Sequence, residues 1–196
     1  MYVALECMNC NHRHARKVEQ FQDLSLPIVG AKPGETQFET VQAAFDDYML
    51  GDTVSVGPGC VWDDPCAGCR RTDQTYHKKL QIKTLPRVLL VQLKRWEYVA
   101  GPGGDELRCL RHHVSATDPL VCGGCTYRLR SLVLHLGDTP AAGHYITVAQ
   151  HETANGTWWL YDDERRIIAD AGLVAGVGPY RGRDCVKTYC LFYERT

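Results

Sequence analysis

Cys7-Met8-Asn9-Cys10 and Cys66-Ala67-Gly68-Cys69 limit more than any other feature how this chain can fold. Two cysteines three positions apart suit a tight turn that aims both sulfurs at one point and leaves backbone N–H groups free to donate to the thiolates. Two such turns, with 55 residues between them (66 − 10 − 1), supply the tetrahedral four-sulfur set that Zn²⁺ prefers in structural sites. A zinc held by four cysteines has no open position for water, so it would hold the fold and take no part in chemistry. The competing reading is four unrelated buried thiols, since cysteine is a common core residue. The repeated spacing favours metal.

The chain has ten cysteines in 196 residues, and their redox state matters to that reading. "MYVALECMNCNHRH" contains no apolar segment of signal-peptide length, so the chain is expected inside the cell, in cytoplasm and/or nucleus, where thiols stay reduced. Cys122-Gly123-Gly124-Cys125 is a third knuckle, and Cys109 with His112 could complete a second metal site around it; His113 is an equally available neighbour. One structural zinc in the first set is the main expectation, with no organic cofactor. Cys60, Cys185 and Cys190 read as packing thiols.

Composition excludes several function classes. A hydrophobic share of 44% and a charged share of 23% suit an ordinary globular protein. The formal net charge of −1 gives no electrostatic footprint for nucleic acid. The one basic run, His12, Arg13, His14, Arg16 and Lys17, reads as a solvated face. No apolar run approaches the roughly 18 residues of a membrane span.

Periodicity predicts mainly strands. Phe21, Leu24, Leu26 and Ile28 alternate in a strand that ends at Pro27 to Gly30. Phe38, Val41, Ala44, Phe45 and Tyr48 recur at steps of three and four, which predicts a short helix capped by Thr36 and stopped at Gly51. Leu80 and Ile82 alternate, Pro86 breaks the run, and Val88 to Leu93 reads as a strand buried on both faces. Ala100 to Glu106 reads as a turn or flexible loop, "TYRLRSLVLHLG" as a further strand, and "HYITVAQHE" with "GTWWLYDD" as a hairpin around Asn155-Gly156. Trp158 and Trp159 are expected on opposite faces, one in the core. "AGLVAGVGPYRGRD" reads as a glycine-rich loop, and "CVKTYCLFYER" as the last strand. The fold class is α+β with antiparallel strands dominant.

"AGHYITVA" and "WWLYDD" set a histidine on one hairpin arm and two aspartates at the end of the other. In order, the two C-x2-C knuckles, "LPRVLLVQLKRW", "YRLRSLVLHLG", "AGHYITVA", "WWLYDDERR" and "YCLFYER" resemble the ubiquitin-specific proteases from Cys7 to Arg195. The resemblance implies a papain-like cysteine protease fold: a palm of mainly antiparallel strands (residues 86–196) and zinc-ribbon fingers (residues 1–30 and 55–85). It implies His144 as general base, Asp162 as the acid that orients it, and Asp163 as a supporting group. Cys7, Cys10, Cys66 and Cys69 take the place of the finger zinc ligands. Gly143, with no Cβ, would clear a channel for ubiquitin's diglycine tail.

That family's nucleophile lies in a glycine-asparagine-x-cysteine box upstream of the fingers, followed by a helical thumb, and this chain begins at the fingers. Cys7 is followed by Met8-Asn9 but lacks the preceding glycine and asparagine, and it reads as a zinc ligand. Cys122 and Cys125 match nothing catalytic by position. The expectation is therefore a deubiquitinase domain with the thumb missing, inactive alone. Its partners would be ubiquitin or a ubiquitinated protein and a thumb-containing chain, with no nucleic acid or membrane. The alternatives are a non-catalytic, zinc-stabilised ubiquitin-binding or scaffold module, and a zinc-ribbon interaction domain whose His-Asp spacing is coincidence.

Overall fold

A computed structural model describes residues 1–30, 37–56, 65–101, 103–139, 142–151, 156–182 and 186–196. Thr36, Cys60, Asn155 and Cys185, named above, lie outside the described residues. The elements begin with β1 (Tyr2–Cys7), β2 (Arg13–Val18), β3 (Asp23–Pro27), α1 (Val41–Leu50), β4 (Thr53–Val56), β5 (Gln74–Gln81), β6 (Val88–Lys94) and β7 (Trp96–Gly101). They continue with β8 (Gly104–Cys109), β9 (Leu120–Cys122), β10 (Cys125–Thr139), β11 (Ala142–Gln150), β12 (Trp158–Asp162), β13 (Arg165–Ile168), α2 (Ala171–Val174) and β14 (Val186–Arg195). No described helix is long and apolar enough to cross a membrane.

The chain divides into two compact units. The first joins Met1–Phe21 to Phe45–Leu85, and the second joins Gln22–Ala44 to Pro86–Thr196. Residues 22–44 thus group with the larger unit.

The first unit is built on a four-stranded antiparallel sheet in the order β2-β1-β5-β4. Strict alternation along β1 buries Val3, Leu5 and Cys7 on one face. Leu5, Cys7, Cys66 and Tyr76 form its small core, with Cys69 packed against them.

Seven strands of the second unit's main sheet run in the order β13-β12-β11-β10-β14-β6-β3, and β9 pairs with β10. β3 alone lies parallel to its neighbour, β6; the other pairings are antiparallel. Val91, Leu132, Leu134, Val148, Leu160 and Leu191 are fully buried. Each such side chain contributes on the order of 1.5–3 kcal/mol of hydrophobic stabilisation. The buried Arg95 donates through Nε to the Thr188 carbonyl (2.9 Å) and through Nη1 to that of His112 (2.6 Å), which ties the segment after β8 to β14.

Four expectations are corrected. α1 starts at Val41 and not near Phe38, because Phe38 N donates to Ile28 O (3.0 Å) in extended backbone and the Thr40 hydroxyl caps Ala43 N (3.2 Å). It does stop at Gly51, whose φ of +79° suits a helix end and whose missing Cβ would lie 1.7 Å from the Lys78 carbonyl oxygen. β6 is not buried on both faces: Leu89, Val91 and Leu93 are buried, while on the other face Leu90 and Gln92 are only partly buried and Val88 is 55% exposed. The glycine-rich loop contains α2, nucleated by Asp170, whose carboxylate accepts from Leu173 N at 2.8 Å. Trp158 and Trp159 are both half-buried, and Arg166 covers the Trp159 ring at 4.6 Å, so neither enters the core. Ala100 and Gly101 end β7 and Gly104 to Glu106 begin β8, with Gly101 paired to Gly104.

Candidate zinc centre and histidine–aspartate site

The two knuckles of the first unit are copies of one turn. In the first, Cys7 N donates to His12 O (2.9 Å) and Asn11 N to Cys7 O (2.8 Å); in the second, Cys66 N donates to Arg71 O (2.9 Å) and Arg70 N to Cys66 O (2.7 Å). Each places one residue in the left-handed region just after its second cysteine, Asn11 at φ 56° and Arg70 at φ 61°. At Gly68 a Cβ would meet the Cys10 sulfur at 2.9 Å, so glycine lets the turns approach.

The sulfurs of Cys7, Cys10, Cys66 and Cys69 all lie within 4.8 Å of one another. Cys7 and Cys69 are 4.0 Å apart, and Cys10 and Cys66 3.6 Å. A tetrahedron with Zn–S bonds of about 2.3 Å has edges of about 3.8 Å, so the donor set and its spacing fit zinc. Burial opposes ionisation of Cys66, but the backbone N–H of Cys69, the His14 ring at 3.6 Å and the Gly68 N–H draw its thiol down to about 5. This set could hold one structural zinc.

The proposed second set does not converge. The ligand atoms of Cys109, His112, Cys122 and Cys125 are absent from the clusters found among the described residues. Backbone routing is the cause. His112 Nε2 is engaged with the Ile28 carbonyl at 3.0 Å, Cys109 pairs with Trp96 in the β7–β8 ribbon, and Cys122 faces Cys125 across the β9–β10 hairpin.

In the second unit, β11 and β12 pair with Thr147 opposite Tyr161 and Val148 opposite Leu160. The period of two then puts His144, Ile146 and Val148 on the same face as Leu160 and Asp162. His144 and Asp162 stand diagonally across the end of this ladder, and His144 Nε2 lies 2.5 Å from Asp162 Oδ1. Asp162 is 3% exposed, whereas the His144 side chain is 40% exposed.

The other Asp162 oxygen accepts from the Tyr180 hydroxyl at 2.6 Å and pairs with the Arg181 guanidinium at 3.0 Å. Tyr180, then His144, then the charge of Arg181 hold the Asp162 carboxyl below its ordinary range, outweighing burial. Both supports escape sequence reading, because they come from the glycine-rich loop and no spacing links them to Asp162. Asp163 opens the turn between β12 and β13 at φ 52°, is largely exposed, and its carboxylate lies 3.9 Å from His144 Nε2, beyond hydrogen-bond reach. His144, Asp162 and Asp163 also lie close enough to share an ion. Arg181 on Asp162 opposes a divalent cation there.

Packing gives Gly143 a reason of its own to be glycine. A Cβ there would fall 2.1 Å from His135 Nε2, so the buried His135 ring fills the space a side chain would need. His135 packs against Tyr145 (4.7 Å between ring centroids) and Trp96 (6.2 Å). Tyr145 itself is half exposed, neither a core residue nor clear of the packing.

Residues 1–193 match the family model for ubiquitin carboxyl-terminal hydrolase. The chain is 32% identical over 201 residues to the ubiquitin carboxyl-terminal hydrolase creB of Emericella nidulans, covering 97% of this chain and 24% of that protein. It is 25% identical over the same share to ubiquitin carboxyl-terminal hydrolase 13 of Saccharomyces cerevisiae. The chain thus spans about a quarter of the length of these relatives. Its fold is similar to that in the SAGA Ubp8/Sgf11/Sus1/Sgf73 DUB module bound to ubiquitin aldehyde, with a TM-score of 0.75 and 22% identity over 100% of this chain and 40% of the other. That likeness shows the fold alone: a mostly-strand, papain-like architecture with a four-cysteine zinc ribbon. With the matched model spanning nearly every residue, this chain belongs to the ubiquitin carboxyl-terminal hydrolase family.

Proposed function

We propose that this chain supplies the general base and its orienting carboxylate to a thiol-dependent deubiquitinase of the ubiquitin-specific type. The reaction is hydrolysis of the isopeptide or peptide bond after ubiquitin's C-terminal glycine. The observation that carries this reading is the 2.5 Å contact between the half-exposed His144 and the buried Asp162. With Nε2–H committed to Asp162, Nδ1 is the ring nitrogen left to take a proton from a cysteine thiol. The thiolate attacks the glycine carbonyl carbon, and the imidazolium returns its proton to the leaving amine. His144 then activates the water that hydrolyses the thioester.

Asp162 fixes the tautomer and ring plane, and Tyr180 and Arg181 keep it ionised and still. Losing such a carboxylate costs ~10⁴ in rate in the serine-protease template. We assign Asp163 a supporting electrostatic role and Gly143 a place on the path of the diglycine tail. In this reading the first unit is the zinc-bearing fingers and the second the palm, working in cytoplasm or nucleus with ubiquitin or a ubiquitinated protein as partner. Among the described residues His144 hydrogen-bonds Asp162 and no thiol, and Cys7 belongs to the four-sulfur set. The nucleophile is therefore assigned to none of the described cysteines, and a thumb-bearing segment or partner chain would supply it.

That same lack of a thiol beside His144 favours a second reading, a zinc-stabilised ubiquitin-binding module without catalysis of its own. Hydrolysis of a ubiquitin–fluorophore separates the two. The chain alone should be inactive and should take no label from a ubiquitin vinyl probe. Mixed with a cysteine-box thumb polypeptide from a relative, it should gain activity that His144→Ala abolishes. Ubiquitin binding with no activity in that mixture would favour the module; labelling of a described cysteine in the chain alone would overturn the assignment of the nucleophile.

A further inference from the structure

The third C-x2-C knuckle takes no part in the zinc centre or in the histidine–aspartate site, yet its geometry is specific. Cys122 ends β9 and Cys125 begins β10, and the two are directly opposite in the antiparallel ladder. Gly123 and Gly124 make the connection with φ of 55° and 79°, the two positive values of the tight hairpin turn whose twist matches its strands. Directly opposed residues in such a ladder have Cα atoms about 4.5–5.5 Å apart, inside the roughly 4.4–6.8 Å span of a disulfide. Both thiols are free.

We propose that Cys122 and Cys125 are a redox-active dithiol that closes to a cross-strand disulfide by exchange with a low-molecular-weight disulfide such as glutathione disulfide. The surroundings divide the work between the two sulfurs. Cys125 is partly exposed at the turn, and beside it Gly124 has open space where a side chain would point. Cys122 is buried at the base, and burial, then its neighbour Cys125, push its thiol up to about 11. Cys125 is the accessible thiol that starts the reaction; Cys122 is shielded from outside reagents and reaches only its partner.

The strand that carries Cys122 is held in place. Gln42 accepts from Val121 N through Oε1 at 2.8 Å and donates through Nε2 to Val121 O at 3.1 Å. Buried Leu120 and Tyr127 face each other one pair beyond Val121 and Thr126, and the Tyr127 hydroxyl donates to Pro86 O at 2.7 Å. The backbone is thus set for ring closure before any oxidant arrives.

The exchange has two steps. Cys125 gives up its proton to solvent, and its thiolate attacks one sulfur of the glutathione disulfide, breaking the S–S bond, forming a mixed disulfide and releasing one glutathione thiolate, which takes up a proton. Cys122 loses its proton to solvent and attacks the Cys125 sulfur, forming the internal bond and expelling the second glutathione thiolate, which is protonated in turn. Two protein thiols are oxidised, and one glutathione disulfide is reduced to two glutathione thiols.

The test uses the zinc-loaded chain in glutathione buffers of increasing oxidised fraction, quenched with acid and alkylated. Cleavage after Arg111 and Arg128 releases residues 112–128, which contain Cys122 and Cys125 and no other cysteine. The expected result is a peptide lighter by two hydrogens, reversed by reduced glutathione, at one zinc per chain throughout. Cys122→Ser should trap glutathione on Cys125, and Cys125→Ser should leave Cys122 unmodified. The proposal fails if the wild-type peptide stays reduced while other thiols oxidise, if the mixed disulfide on Cys125 persists in the wild type, or if two zincs bind and protect Cys122 from alkylation.

Discussion

The zinc centre and the histidine–aspartate site are assembled by opposite means. Each half of the zinc centre is a self-contained turn of six residues, with the same two backbone hydrogen bonds and the same left-handed residue in both copies. Bringing the halves together takes only the β1–β5 pairing. The other site depends on the register of β11 against β12, on a turn that ends β12 at Asp162, and on Tyr180 and Arg181 arriving from a separate loop. A site made of local turns is written in residue spacing. A site made of register and loop return is only half written there.

This contrast predicts where each site breaks. Zinc removal should have the largest effect, since apparent binding free energies in small zinc modules are about 10–16 kcal/mol. A chelator should strip about one zinc per chain and expose the amides of β1 and β5 to hydrogen exchange, while those of β10 and β14 stay protected; equal loss in both sheets would erase the contrast. Next, Leu160→Ala should cost about 2–5 kcal/mol in urea unfolding of the second unit, because Leu160 is fully buried beside Asp162. It should leave the zinc stoichiometry unchanged.

Gly143→Ala is expected to cost about 1–3 kcal/mol through overlap with the His135 ring, measured by the same unfolding curves. His135→Ala in the same chain should recover part of that loss; no recovery would mean that glycine is needed there for another reason. The smallest expected effect is Tyr180→Phe. The folded Asp162 carboxyl lies below its ordinary value, so its contribution is fully present above the unfolded pKa near ~4 and is lost as pH falls through the folded one. Removing the first of its stabilising hydrogen bonds should raise the folded pKa and move that loss to higher pH. A carboxyl-carbon NMR titration of Asp162 reads this directly, and an unchanged midpoint would put the weight on the His144 hydrogen bond and on Arg181.

Much of this was legible in advance, for reasons that differ by element. The four-sulfur set followed from spacing, because a C-x2-C turn leaves the chain little other choice. The main strands followed from alternation, and His144 and Asp162 from the order of blocks around them. Three things were not legible. The helix start at Val41 depends on Phe38 being drawn to Ile28 by a backbone hydrogen bond. The identity of Gly143 reflects a buried histidine on the neighbouring strand, which looks in the sequence like any polar residue in an alternating run. The supposed second metal set failed because Cys109 and His112 belong to a separate ribbon and its return, a matter of routing that spacing does not encode.

The account rests on His144 being held by Asp162 with Nδ1 left for proton exchange. Long-range ¹⁵N NMR of the His144 imidazole in the zinc-loaded chain tests this most directly. Of the two neutral tautomers, the account predicts the one protonated at Nε2, with a slowly exchanging Nε2–H proton. A tautomer mixture like that of a free histidine, or a proton resident on Nδ1, would contradict it.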